Sequence, residues 1–150
     1  MKYFTASLLF FLAFAKWCPA QSAPQFRAAG QEEHYVLILL SDVWANSKEI
    51  AGQVARYNEL LPSGKPIHMQ LYRIPFLSKQ PVITLSGFAN QNAAETYCQK
   101  LIDDHPDFLK MQIVTAVWPV ALSNFNEMLR KKSAENYPAF LEKFYTAFII

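Results

Sequence analysis

Four segments of the chain show the hydrophobic patterns of β-strands. Residues 34–41 (HYVLILLS) are almost continuously apolar at both odd and even positions, which is typical of a central strand covered on both faces. Residues 67–72 alternate apolar and polar side chains, which predicts a half-buried strand. Further strands are predicted at residues 81–88 and somewhere within residues 112–123.

Helical periodicity occupies the segments between and after these strands. Asn46 with Glu49 predicts an N-terminal cap, and the apolar stripe behind it consists of Ile50, Val54, Tyr57 and Leu61. Asn92 with Glu95 predicts the start of a second helix, whose apolar stripe consists of Ala94, Tyr97, Cys98, Leu101 and Ile102. Two more helices are predicted towards the C-terminus, one from residue 123 or 124 and one from about residue 136.

The order of these elements predicts the fold class. Strand, helix, strand, strand, helix, strand is the βαββαβ order of the ferredoxin-like α+β fold, an antiparallel sheet, here with additional C-terminal helices. Two helices cover only one face of such a sheet, whereas the first strand is apolar on both sides. We therefore expect a second cover, either the C-terminal stripe of Phe140, Phe144 and Phe148 or a partner protein.

The N-terminus has the features of a secretory signal peptide. Lys2 precedes the apolar run of residues 8–15, which is shorter than the ~20 residues of a membrane span, and small residues precede a cleavage site after Ala20. The predicted organisation is a signal peptide at residues 1–20, a flexible lead-in at 21–33 and one domain at 34–150. The expected location is the periplasm or the cell surface, with membrane contact only through the signal peptide before cleavage.

Charge and cysteine content narrow the classes of partner. Removing Lys2 and Lys16 with the signal peptide leaves 12 basic residues against 12 acidic ones. A neutral domain lacks the surplus positive charge that nucleic-acid binding requires. Only Cys98 remains in the processed chain, so no internal disulfide is expected.

Motifs for catalysis are missing from the sequence. There is no glycine-rich phosphate loop and no nucleophile elbow, and the histidines do not have metal-ligand spacing. The acidic run at residues 103–107 is interpreted as a solvated helix end. No catalytic residue, cofactor or metal is therefore predicted. The candidate partner-binding residues are aromatic, with core packing as the alternative for each: Trp44, Tyr72 and Trp118.

Several short stretches resemble the C-terminal domain of Bacteroidota gliding-motility and type IX secretion tetratricopeptide-repeat lipoproteins. The matching positions are His34–Val36, Tyr57–Asn58, residues 82–88 followed by Ala94, Tyr97 and Leu101, residues 118–125 with Leu129, and Tyr137, Phe140 and Tyr145. The resemblance covers about residues 34–145 and implies an envelope protein without an active site. Here the domain is expected to be a stand-alone exported protein.

The function expected from these observations is a non-enzymatic protein-interaction module of the bacterial cell envelope, accessory to gliding motility or type IX secretion. It would bind another envelope protein through a sheet face or an edge strand. The alternative is a peptidoglycan-binding module similar to sporulation-related repeat domains. A third hypothesis is a small enzyme that uses His68 or His105 as a base.

Overall fold

A computed structural model describes residues 23–41, 46–61, 66–110 and 112–150. The predicted signal peptide at residues 1–20 and Trp44 lie outside the described residues. The described strands are β1 (His34–Leu40), β2 (His68–Tyr72), β3 (Val82–Phe88) and β4 (Val114–Ala121). The described helices are α1 (Ser47–Leu60), α2 (Gln91–Asp104), the short α3 (Asp107–Lys110), α4 (Leu122–Lys131) and α5 (Tyr137–Phe144).

The strands form one four-stranded sheet in the order β2-β3-β1-β4. Every neighbouring pair is antiparallel, so β1 and β2 run in the same direction with β3 between them. The predicted α+β class with an antiparallel sheet and C-terminal helices is therefore confirmed. The two-sided apolar pattern of residues 34–41 did mark a central strand, since β1 lies inside the sheet.

One face of the sheet packs against α1 and α2. The even-numbered residues Val36, Ile38 and Leu40 of β1 contribute to this first core. Ile50 and Val54 come from α1, and the predicted apolar stripe of α2 is buried as expected apart from Ile102, which is 37% exposed. Further buried members are supplied by β3 and α3: Ile83, Leu85, Phe88 and Phe108.

The opposite face is covered by α4 and α5, so the chain supplies its own second cover. Leu37 and Leu39 of β1 lie in this second core with Phe125, Met128, Tyr137, Leu141 and Tyr145. The expected stripe of Phe140, Phe144 and Phe148 is right in part, because Phe140 and Phe148 are partly buried against this second core. Tyr137 and Leu141 are the fully buried positions, whereas Phe144 is 39% exposed. Because α5 ends at Phe144, Phe148 is not on the helix at all.

Two helix starts also differ from their sequence predictions. The cap of α2 is Asn90, two residues before the predicted Asn92, and its side chain accepts a hydrogen bond from the Ala93 amide at 3.0 Å. The N-cap residue of α4 forms no capping hydrogen bond through its side chain. Instead the Glu32 carboxylate accepts from the Ser123 amide at 3.1 Å, which satisfies one of the unpaired donors of the first turn.

The segment before β1 is irregular but fastened to the domain. The Asn124 side chain accepts from the Arg27 amide at 3.1 Å and donates to the Arg27 carbonyl at 2.9 Å. The Phe26 ring packs edge-on against Tyr137, with ring centroids 4.8 Å apart. Within the described part of this segment, which begins at residue 23, Phe26 packs against the second core.

Replacing Leu101 tests the first core. Leu101 is fully buried, so Leu101→Ala should lower the free energy of unfolding by about 2–5 kcal/mol through the cavity it leaves. Leu129→Ala is the matched control, because this leucine of α4 is 42% exposed and should change stability by about 0.5 kcal/mol or less. Urea denaturation measures both. Equal losses for the two variants would contradict the assignment of Leu101 to the core.

Deleting residues 133–150 tests the cover of the second face. The deletion removes α5 and the segment after it, which should expose Leu37, Leu39 and Trp118 and cause aggregation or binding of an apolar dye. Deleting Ile150 alone is the control, since that side chain is 57% exposed. A long deletion that leaves a soluble monomer of unchanged stability would show that α5 is not the cover.

Candidate functional site

The fold limits which parts of the sheet a partner can reach. Both faces of the central strands are covered by helices, as described above, so a partner strand that adds to the sheet has to bind at an edge. The edges of the sheet are β2 on one side and β4 on the other. An edge strand presents unpaired backbone N–H and C=O groups to which another strand can add.

The edge at β4 is already occupied by the chain itself. Val117 and Ile149 exchange two backbone hydrogen bonds of 2.9 Å each, so the segment after α5 pairs with the outer side of β4. We call residues 145–150 the C-terminal strap. Helix α2 holds the strap where it leaves α5: the Gln91 side-chain amide donates to the Phe144 carbonyl at 2.7 Å, and the Glu95 carboxylate accepts from the Thr146 amide at 2.5 Å.

The edge at β2 is open among the described residues, where β2 pairs with β3 alone. Leu71 and Tyr72 are 39% and 45% exposed, and they point to opposite faces of the sheet because neighbours alternate along a strand. The strand contains no acidic residue, lysine, arginine or proline, which are the groups that commonly protect an edge from pairing. The β2 edge is therefore the candidate site.

Gly87 allows two backbone segments to lie close together beside the β2 edge. Its φ of +107° is a backbone conformation that L side chains rarely adopt. A Cβ atom there would lie 2.7 Å from the carbonyl oxygen of Pro66, just before β2. The glycine thus allows the segment leading into β2 to lie directly against the end of β3.

The predicted site residues have three different outcomes. Tyr72 lies on the open β2 edge, and its hydroxyl donates to the side-chain carbonyl of Gln70. Trp118 is 8% exposed and packs against Tyr137, with centroids 5.7 Å apart, so its side chain belongs to the second core rather than to an accessible surface. Trp44 lies outside the described residues. Sequence analysis named only Tyr72 on the edge; the absence of charge along residues 68–72 was the signal that could have identified the whole strand.

A buried histidine network holds the strap in place. His34 is fully buried; its Nδ1 lies 2.8 Å from the Glu32 carbonyl and its Nε2 lies 2.9 Å from the Tyr145 hydroxyl. A carbonyl only accepts, so Nδ1 carries the proton and Nε2 accepts from Tyr145. Burial lowers the pKa of His34 and raises the pKa of Tyr145 to about 12. Both groups are therefore neutral near pH 7, which suits a structural tie.

One residue of the acidic run, Asp104, takes part in the contact between α1 and α2. The Asp104 carboxylate accepts from the Tyr57 hydroxyl at 2.8 Å and from Lys100 at 2.7 Å, so it joins α2 to α1. These hydrogen bonds, from Lys100 first, lower the pKa of Asp104. The interpretation as a solvated helix end was incomplete, because Asp104 also ties α2 to a neighbouring helix.

Other potentially reactive side chains in the described part of the chain do not come together in one cluster. No three His, Cys, Asp or Glu side chains in this part are placed to hold a metal ion. His34 and His68 lie on strands separated by β3. The Cys98 thiol is buried, which raises its pKa to about 12, so it stays protonated near pH 7. Among the described helices, none combines the length and the apolar character that crossing a bilayer requires.

The stability of the domain should depend on pH through His34. Its pKa is lowered from the ordinary 6.5, so folding favours the neutral ring, and this stabilisation is present above pH 6.5 and lost as the pH falls. Unfolding free energies measured by urea denaturation between about pH 8 and pH 5 should decrease towards acid, before most carboxylates titrate. His34→Gln should flatten this slope. His68→Gln, at an exposed position of β2, is the matched control and should keep it. An unchanged slope in His34→Gln would contradict the assignment.

Comparison with known proteins gives no relative from which a function could be transferred. No protein-family model matches the sequence, and no similar curated protein or solved structure is found.

Proposed function

We propose that this chain is a non-enzymatic protein-interaction module that binds an extended segment of a partner by strand addition at the β2 edge. In this mode the backbone hydrogen bonds of the added strand supply affinity, and alternate side chains supply specificity. The observation that carries the proposal is the contrast between the two edges. The middle of the β4 edge is paired with Ile149, whereas β2 has no neighbour on its outer side among the described residues.

The side chains of β2 suit a partner segment that is apolar and uncharged. Leu71 points to the same face as the partly buried Met69, which packs against the first core, and so offers apolar surface on the α1 side. Tyr72 offers an aromatic ring on the opposite side, and tyrosine is among the residues that contribute most energy to interfaces. A partner strand would thus find apolar surface on both faces and no fixed charge to match.

The covered faces argue against the peptidoglycan alternative. A glycan reader of the sporulation-related type would need polar and aromatic groups on an open sheet face. Here one face of the central strands packs against α1 and α2 and the other against α4 and α5, which leaves only the narrow strip of β2 exposed. We therefore do not propose glycan binding, and purified sacculi serve as a negative control for the interaction experiments below.

The proposal includes a fold assignment and a cellular setting. Counted from the other edge, the strand order is β4-β1-β3-β2, which together with the βαββαβ element order supports a ferredoxin-like sheet. The signal-peptide pattern of residues 1–20 supports export to the periplasm or cell surface. The resemblance noted in the sequence supports a role accessory to gliding motility or type IX secretion.

Site-specific photo-crosslinking tests the proposed function. A photoreactive amino acid at position 72 should form a covalent adduct with a partner in the envelope of the producing cell, because this side chain borders the added strand. The same probe at position 129 is the control, since Leu129 is similarly exposed, at 42%, but lies on α4. Leu71→Lys should abolish the adduct from position 72 by placing a charge on the apolar edge.

Three results would contradict the proposed function. The first is an equal set of adducts from positions 72 and 129. The second is an adduct that survives Leu71→Lys in a protein whose unfolding curve is unchanged. The third is retention of the protein on purified sacculi that is lost with the same substitution.

A further inference from the structure

The β2 strand is complementary to itself. Its five residues His68, Met69, Gln70, Leu71 and Tyr72 have Gln70 at the centre. Two β2 edges that join in one continuous sheet are related by a two-fold axis perpendicular to that sheet, and opposed residues must then point to the same face. Only registers centred on a residue satisfy this condition. The register centred on Gln70 is the one that pairs the whole strand with its copy.

The central register brings like chemistry together on each face. Met69 lies opposite Leu71 of the second copy, which joins apolar side chains on the α1 side. His68 lies opposite Tyr72 of the second copy on the other side. Aromatic pairs directly across strands are stabilising. Leu71 and Tyr72, which are 39% and 45% exposed in the single chain, would both be covered.

The axis position suits an uncharged amide. A residue on a two-fold axis meets its own copy, so a charged side chain there would face a like charge. Gln70 instead carries a carbonyl acceptor and two N–H donors, which allows the two amides to hydrogen-bond each other. The Tyr72 hydroxyl already donates to the Gln70 carbonyl and so orients the amide at the edge.

From this pattern we infer that the β2 edge pairs antiparallel with β2 of a second copy of the chain, in the register centred on Gln70. The inference rests on the proposed use of β2 as an edge for strand addition. It identifies a second copy of the chain as the strand that binds there when no other partner is present. The dimer forms an eight-stranded sheet, and each of its outer edges pairs with a C-terminal strap at Val117. A partner segment that binds β2 then has to displace the second copy, so dimerisation and partner binding are mutually exclusive.

Complementary charges at the axis test the register. The purified chain should be dimeric at high concentration in sedimentation equilibrium. Gln70→Lys and Gln70→Glu, each alone, should weaken self-association on the order of tenfold or more, because each places two like charges together. An equimolar mixture of the two variants should dimerise again. No loss of fold explains that recovery. A wild-type chain that stays monomeric up to its solubility limit, or a mixture that does not recover, would overturn the inference.

Cysteine crosslinking gives a second test of the same register. Gln70→Cys should form an intermolecular disulfide on mild oxidation, since side chains directly opposite lie about 4.5–5.5 Å apart at Cβ. His68→Cys should not crosslink to itself, but should crosslink to Tyr72→Cys when the two are mixed. The native Cys98 is buried and does not interfere. Crosslinking of His68→Cys alone as fast as Gln70→Cys would contradict the register.

The two proposals fail separately. A chain that dimerises according to the charge rule but forms no adduct with another protein from position 72 would retain the inferred dimer and remove the proposed function. A monomeric chain that forms a partner adduct sensitive to Leu71→Lys would do the reverse. In the first case, the adduct from position 72 has the mass of two chains.

Discussion

The structure depends on covering both faces of β1. This strand lies between β3 and β4, and its side chains from Val36 to Leu40 are at most 6% exposed on either side. Two helices can bury only one face of a four-stranded sheet, so the chain needs a second layer. Helices α4 and α5 provide that layer. Covering the second face also closes it to partners, and the open positions of the sheet are then restricted to its edges.

Hydrogen bonds of buried polar side chains hold the second layer in place. His34 holds Tyr145 at one end of the strap, and the buried Tyr137 donates its hydroxyl to the Pro119 carbonyl at 2.7 Å. Burial raises the pKa of Tyr137, so this hydroxyl keeps its proton and remains a donor. His34, Tyr137 and Tyr145 are neutral and paired, which avoids the large cost of burying a charge. The strap is thereby held against the middle of β4, while the β2 edge stays available.

The elements could be predicted from the sequence because their hydrophobic periods are strong and local. β1, α1 and the apolar stripe of α2 follow the pattern of the residues closely.

The misplaced features depend on contacts between distant residues. Asn90 and Asn92 are both plausible caps, and only the packed helix selects Asn90. Glu32 caps α4 across the sequence, and no local pattern marks it. The C-terminal phenylalanine stripe was right in part: Phe140 and Phe148 pack against the second core, but α5 ends at Phe144 and Phe148 is not on the helix. Of the candidate site, an exposed Tyr72 was predictable from its position in an alternating strand, whereas the burial of Trp118 required the position of α5.

The bond between His34 and Tyr145 joins residues 111 positions apart and determines when the chain can finish folding. β1 is among the earliest elements made, yet it needs β4 beside it and α5 over it. Helices α1 and α2 can cover the first face while synthesis continues, but the second face stays exposed until the C-terminal residues are available. Folds dominated by such distant contacts form slowly, because loop closure precedes the contacts that reward it. The second core can therefore close only after the last helix and the strap have been made, so until then β1 has one finished face and one open face.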